Sequence, residues 1–356
     1  MLNKKGISLP EKILTRNALS IQSMKFLATI IITASALLAS CTESQKSTPS
    51  ESAHYIGICN GHFDNHGTHY YYIGTNIDNE LTRNTDSTLI CRQLDQLAQL
   101  GISNIRIEAS SIDPTQLDKL LSGIGARQMK AVICLSDARS NLTDEKIKDI
   151  LERTNTISGT PYMADTTIMA WQICSEPAAI TGNDDKFVEW IQNTAALIKS
   201  IDNNHLVSTG IGGISECHND AQLYYDIHSD NNIDYLTMHI WPADWRQATE
   251  GIDRINERTL SYAEEHLAMA QRLSKPIVID AFGLPANDAI STGMRDQYLA
   301  FVFDMLAEQT AARGELAGCN FWKWCGNAQH GQYCISVQDS TANIIRKAAA
   351  QIAACM

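Results

Sequence analysis

From Tyr70 to the end of the chain, short runs rich in apolar and β-branched residues alternate with longer stretches in which apolar positions recur every three or four residues. The short runs predict eight strands, at Tyr70–Gly74, Ile102–Ala109, Ala131–Ser136, Thr167–Cys174, His205–Ile211, Ile233–Ile240, Pro276–Phe282 and Leu316–Trp324. Several are almost continuously apolar, as parallel strands buried on both faces are. The longer stretches predict helices at Thr88–Leu100, Pro114–Arg127, Asp144–Thr154, Asp185–Ile201, Asp220–Ile227, Ser261–Leu273, Met294–Ala312 and Thr341–Ala354. Asn183 or Asp184 supplies the N-cap of the fourth. Eight strand–helix units in one unbroken series predict an α/β fold, a single-domain (β/α)8 barrel. No Gly-x-Gly-x-x-Gly follows the first strand, so a dinucleotide-binding sheet has no support.

The pattern before Tyr70 is of another kind. Met24-Lys25 precedes the apolar run Phe26 to Ala39, which ends in Leu38-Ala39-Ser40-Cys41. A positive start, a short apolar core and small residues before a cleavage point make a secretory signal, too short for a comfortable membrane span. Small residues ending on a cysteine resemble the bacterial lipobox, in which Cys41 is the lipidated first residue; the alternative is an ordinary signal peptide with an incidental cysteine. Residues 42–53 are polar and aperiodic, as a flexible tether is. The expected organisation is an upstream extension (1–23), a lipoprotein signal peptide (24–40), the lipidated cysteine and tether (41–53) and the barrel (54–356). The expected location is the cell envelope of a bacterium, on the outer-membrane surface or the periplasmic face, with the membrane met only through the anchor.

The chain has 356 residues and a formal net charge of −12. Five of its 28 basic and one of its 40 acidic residues lie in the first forty, so the remainder carries 23 basic and 39 acidic side chains, a formal −16. That balance argues against nucleic-acid or anionic-membrane surfaces and suits a neutral ligand. Nine of the ten cysteines follow Cys41, with no Cys-x-x-Cys pair, so a metal site has little support. Cys319, Cys325 and Cys334 are close enough for a disulfide, but buried thiols are the simpler expectation.

In a barrel the chemistry sits where strands end. The ends here carry Arg106 with Glu108, Asp137, Ser175-Glu176-Pro177, His239 with Trp241, Asp280, and Trp322 with Trp324. An isolated Glu-Pro is most often an exposed loop. Its surroundings say otherwise. The blocks Arg153 to Tyr162, Thr167 to Pro177, Asn204 to Gly210, Ile233 to Pro242, Lys275 to Pro285 and Leu316 to Trp324 resemble, in order and spacing, the endo-1,4-β-mannosidases of glycoside hydrolase family 5. The resemblance implies that Glu176 is the general acid/base. It implies that Arg106 supports the nucleophile electrostatically, that His239 and Trp241 line the cleft, and that Trp322 lies beneath the sugar. It implies a β-linked, mannan-type polysaccharide as partner and no cofactor or metal, because the family's chemistry needs only two carboxyl groups.

The departures from that family cluster at the same place. The seventh strand of the family ends Glu-Glu-Phe-Gly with the second Glu as nucleophile; here it reads Asp280-Ala281-Phe282-Gly283. A methyl group at Ala281 cannot form a glycosyl-enzyme, and losing a covalent nucleophile removes on the order of 10⁵ in rate. Strict alternation along the strand predicts that Asp280 points away if Ala281 faces the mouth. Ser175 stands for an Asn expected to bind the sugar 2-hydroxyl, and Ala178 for an Arg. The loop after the third strand shrinks to Asp137–Asn141, and Ile77-Asp78 replace an aromatic pair. Three functions are consistent with this pattern: a non-catalytic, surface-anchored glycan binder; an inverting-type glycosidase using a carboxylate such as Glu108; or a barrel kept for protein contact. Glu108 shares the strand face of Arg106, and simple pairing with Arg106 is its plainer role.

Overall fold

Eight parallel strands form one continuous sheet in the computed structural model, which describes residues 55–77, 86–137, 142–245, 251–288, 290–326 and 331–356. The signal, the tether, Cys41, Asp78 and residues 138–141 lie outside the described residues.

Before the sheet come three short antiparallel strands, β1 (Gly57–Cys59), β2 (His62–Asn65) and β3 (Thr68–His69). Runs of two to four residues hold too few alternations to register in a sequence pattern, so the reading above begins at Tyr70. Their buried residue, Phe63, packs edge-on against Tyr235 with ring centroids 5.2 Å apart.

The parallel strands are β4 (Tyr72–Ile77), β5 (Asn104–Glu108), β6 (Lys130–Cys134), β7 (Ile168–Gln172), β8 (Leu206–Ser208), β9 (Leu236–Ile240), β10 (Ile277–Phe282) and β11 (Leu316–Trp324). Neighbours in sequence are neighbours in the sheet from β4 to β8 and from β9 to β11, and β11 pairs with β4. A parallel bridge from Ser208 to Tyr235 joins the remaining edges, so the sheet closes as the expected (β/α)8 barrel.

The helices are α1 (Ser87–Gln99), α2 (Pro114–Gly125), α3 (Asp144–Leu151), α4 (Asp184–Ile201), α5 (Ala221–His228), α6 (Ile252–Leu273), α7 (Thr292–Ala312) and α8 (Ser340–Cys355). They turn apolar residues such as Leu94 and Leu97 of α1, or Ile191 and Ile198 of α4, into the core. Asp86, Asp113 and Thr143 cap α1, α2 and α3 through side-chain bonds to backbone N–H groups. Asn183 occupies the N-cap position of α4, but its side chain makes no capping bond. Helix α6 starts at Ile252 rather than Ser261, because its charged opening, Asp253 to Arg258, hides the apolar period.

Two local features set the barrel's interior. Gly74 of β4 has no room for a side chain, since a Cβ would lie 2.0 Å from the Asn320 Oδ1 and 2.7 Å from the Asn104 carbonyl. Strand β10 carries a bulge: Ile279 pairs with Met238 and Ala281 with His239, so Asp280 is one residue extra against β9. The bulge breaks strict alternation, and Asp280 turns into the barrel rather than away from it.

Candidate active site

Glu176 stands at the C-terminal mouth, four residues beyond the end of β7. Its amide donates to the Gly210 carbonyl at 3.0 Å, and the preceding Ser175 amide donates to the Ser136 carbonyl at 2.8 Å. The backbone at Glu176 is left-handed, φ +53°, a conformation that costs an L-residue about 1–2 kcal/mol. Gly210, φ +77°, makes the close approach possible: a Cβ there would sit 1.8 Å from the Cys174 carbonyl oxygen. Two neighbouring strand ends therefore fix the Glu176 backbone.

The Glu176 side chain is bound by two donors from the end of β9. The His239 Nδ1 lies 2.7 Å from its Oε1, and the Trp241 indole N–H donates to the same oxygen at 3.1 Å. The His239 bond, helped by the Trp241 donor, outweighs partial burial and holds the carboxyl down at about 2. His239 is buried, which opposes its charged form; Asp280 and Glu176 outweigh that and raise its pKa above the ordinary imidazole value. Glu176 is therefore a carboxylate at neutral pH, beside an imidazole whose charged form its two acidic neighbours favour. A retaining glycosidase instead keeps its acid protonated with the help of a second carboxylate nearby.

Ala281, directly paired with His239 across the β9–β10 ladder, is buried and ends in a methyl group. Asp280 is the nearest acid in sequence, and it is fully engaged below the mouth. Arg106 Nε lies 2.8 Å from its Oδ2, the Gln172 amide donates to the same oxygen at 2.8 Å, and the Asn320 amide donates to Oδ1 at 3.3 Å. His239 Nε2 is 3.6 Å away, an ion-pair distance beyond hydrogen-bond reach. Burial alone would raise the Asp280 pKa, but Arg106 and His239 hold it down at about 2.

Arg106 is buried too and completes the network. Its Nε donates to the Gln172 side-chain oxygen at 2.7 Å, and its two terminal nitrogens donate to the Asn76 Oδ1 at 3.0 Å and the Ser175 Oγ at 3.1 Å. Ser175 thus binds the guanidinium.

The aromatic side of the mouth is built from three rings. Trp241 and Trp322 meet edge to face at 5.9 Å and 89°, and Trp241 and Tyr333 at 6.0 Å and 84°. All three are half-buried. The Trp322–Lys323 peptide is cis. Trp324, grouped with the mouth residues in the sequence, is fully buried instead and donates its indole N–H to Gln93 of α1.

The sequence-predicted residues Arg106, Ser175, Glu176, His239, Trp241, Ala281 and Trp322 therefore gather at one mouth. Glu108 ends β5 half-exposed, accepts a 3.3 Å bond from Ser110 and forms no ion pair among the described residues. Arg106 pairs with Asp280, not with Glu108. A disulfide joins Cys325 to Cys334 while Cys319 stays a buried thiol, so the expectation of three thiols is corrected at two positions. Missed from the sequence were Asn76, Gln172, Asn320 and Tyr333. The first three had a signal: each is a polar residue inside an otherwise apolar strand, where an inward position demands a partner. Among the described residues no group of three or more His, Cys, Asp or Glu could hold a metal ion, and no helix is long and apolar enough to cross a membrane.

A closed parallel barrel with a carboxylate, an imidazole and indoles at its C-terminal mouth has the organisation of the barrel glycoside hydrolases. Residues 126–333, more than half of the chain, match the family model described as GH family 5 beta-mannosidase-like, and the chain belongs to that family. Among curated relatives, the mannan endo-1,4-beta-mannosidase 1 of Oryza sativa subsp. japonica is 31% identical over 193 residues, which are 50% of this chain and 44% of the relative. The mannan endo-1,4-beta-mannosidase 2 of Arabidopsis thaliana is 27% identical over 199 residues, 51% of this chain and 46% of that protein. The chain spans about half the length of the curated relatives it matches. Among solved structures, the family 5 mannosidase of Rhizomucor miehei superposes with a TM-score of 0.74 at 21% identity, covering 86% of this chain and 99% of that one. The endo-beta-1,4-mannanase of Thermotoga petrophila follows the same fold, with a TM-score of 0.66 at 19% identity over 80% of this chain and 77% of its own.

Proposed function

We propose that the protein is a non-catalytic receptor for β-mannan-type polysaccharide, built on a family 5 mannosidase barrel. One observation carries the reading: Ala281, paired with His239, offers a methyl group at the position to which the family resemblance assigns a nucleophile, and Glu176 is held ionised, its pKa down at about 2. An ionised carboxylate accepts hydrogen bonds from sugar hydroxyls but has no proton for a leaving oxygen. Trp241 and Trp322 offer faces for the apolar side of a pyranose, removing that area from water while hydroxyls stay free to bond. The mannan-type ligand is inferred from the relatives' names and from a Rhizomucor miehei neighbour solved as a complex with mannosyl-fructose.

The proposal includes export and anchoring through Cys41, with the barrel held outside the cytoplasm by residues 42–53. The Cys325–Cys334 disulfide supports an oxidising compartment.

The test is calorimetry with mannohexaose at neutral pH. The proposal expects saturable binding to the wild-type protein, weakened roughly tenfold or more by Trp322→Ala through loss of the stacked face. No binding under any condition overturns it.

A second reading rests on Glu108, which Arg106 leaves unpaired at the mouth. It would activate a water opposite Glu176 in an inverting displacement. Glu176-dependent cleavage that disappears in Glu108→Gln supports this reading; cleavage untouched by that substitution rejects it.

A further inference from the structure

We propose that Tyr333 is a third sugar-contacting wall of the cleft, and that the Cys325–Cys334 disulfide is the device that positions it. The proposal deepens the glycan-binding reading and rests on it. The ligand class is the same: a β-linked oligosaccharide presenting one apolar pyranose face and a row of hydroxyls.

The placement of Tyr333 comes from three strand ends at once. Its ring stands edge-on to Trp241 beyond β9. It also lies against Gly283, just past β10, where an added Cβ would be 3.1 Å from the Tyr333 Cδ1 and 3.0 Å from the Trp322 carbonyl oxygen. The missing side chain at Gly283 is what lets the ring reach the strand end, two residues from Ala281. The backbone around it is pinned: the Lys323 amide donates to the Tyr333 carbonyl at 3.3 Å, and the Ala286 amide to the Gln332 carbonyl at 2.7 Å. Cys334, the next residue, is covalently joined to Cys325, directly after β11, and its carbonyl accepts from Arg295 at 3.2 Å.

The chemistry of the ring suits a carbohydrate. It is half-buried, and among the described residues nothing hydrogen-bonds its hydroxyl. The hydroxyl lies within the field of Asp244, on the turn that follows Trp241. A rigid aromatic with an unused donor and acceptor, next to two indoles, is a contact surface for a molecule with C–H faces and hydroxyls. On the opposite side, the last described residue of β4, Ile77, is buried aliphatic core. Trp241 after β9, Trp322 in β11 and Tyr333 form one contiguous aromatic surface.

Calorimetry with mannohexaose tests this across wild type, Tyr333→Ala, Tyr333→Phe, the double variant Cys325→Ser/Cys334→Ser, and that double variant combined with Tyr333→Ala. Thermal unfolding of each variant establishes that it is folded. Tyr333→Ala is expected to weaken binding roughly five- to tenfold and Tyr333→Phe by a smaller factor, about two- to threefold. Removing the disulfide should weaken binding when Tyr333 is present and change nothing further in the Tyr333→Ala background, a coupling that general destabilisation would not produce. Wild-type binding that Tyr333→Ala leaves within about twofold overturns this inference and spares the binding reading. Equal losses from the disulfide in both backgrounds overturn its positioning role. Absence of wild-type binding overturns both readings together.

Discussion

At the scale of single residues, the site is governed by where three carboxyl positions fall. Glu176 stands at the mouth, Ala281 ends in a methyl group, and Asp280, one residue earlier, places a carboxylate deeper in the barrel. Asp280 neutralises Arg106, which would otherwise be a buried, unpaired cation. Asp280→Asn is therefore expected to lower stability by about 3–5 kcal/mol in denaturant unfolding, whereas a loss under 1 kcal/mol would mean the network carries little. The native Asp280 contribution is present above its unfolded pKa and disappears as pH falls through about 2. For His239 the sign is reversed. Its folded pKa is raised, so its contribution is fully present below the ordinary imidazole value and lost as pH rises through the raised one. Ring-proton NMR should find His239 titrating above the ordinary value in the wild type and lower in Glu176→Gln, because that substitution removes a facing negative charge. An unchanged titration would show that Glu176 does not hold the imidazolium.

At the scale of elements, the barrel strands and helices were legible because most run long enough to show their period, the three-residue β8 being read from the longer apolar run around it, and the family blocks fell on the strands that carry the site. The β1–β3 meander was too short to show one, and the opening of α6 was too charged. Asp280 was misread for a more specific reason. Alternation predicts strand faces only while pairing stays in register, and no residue in Ile277–Phe282 announces the bulge that the β9 and β11 ladders impose. Tyr333 was invisible for another: it lies outside any periodic run, and the contacts that tie it to the mouth, with Trp241, Gly283 and Lys323, join residues that no sequence period links. The crossing of β7 and β8 at Glu176 makes a prediction of its own. Gly210→Ala would force a Cβ into the Cys174 carbonyl and strain a left-handed backbone. It should cost about 1–3 kcal/mol in stability and weaken glycan binding with it. Wild-type affinity in that variant would show that the Glu176 backbone does not need this approach.

At the scale of the whole molecule, the fold of the family 5 mannosidases carries a mouth at which the seventh barrel strand ends in Asp280-Ala281-Phe282. Charge adds a constraint: the chain is acidic overall, with formal net charge −12, and a neutral polysaccharide gains nothing from that field. Affinity for mannohexaose should accordingly change by less than about twofold between roughly 0.05 and 0.5 M salt. A steep salt dependence would point instead to a charged ligand.

The most direct test of the central claim, binding without cleavage, is to titrate mannohexaose into the wild-type protein in a calorimeter. After prolonged incubation, the contents of the same cell are then analysed by mass spectrometry. The account predicts saturable heat and an intact hexasaccharide. Shorter mannosides that appear with the wild type and vanish in Glu176→Gln would contradict it, and would mean that a carboxylate other than Glu176 completes a hydrolytic site.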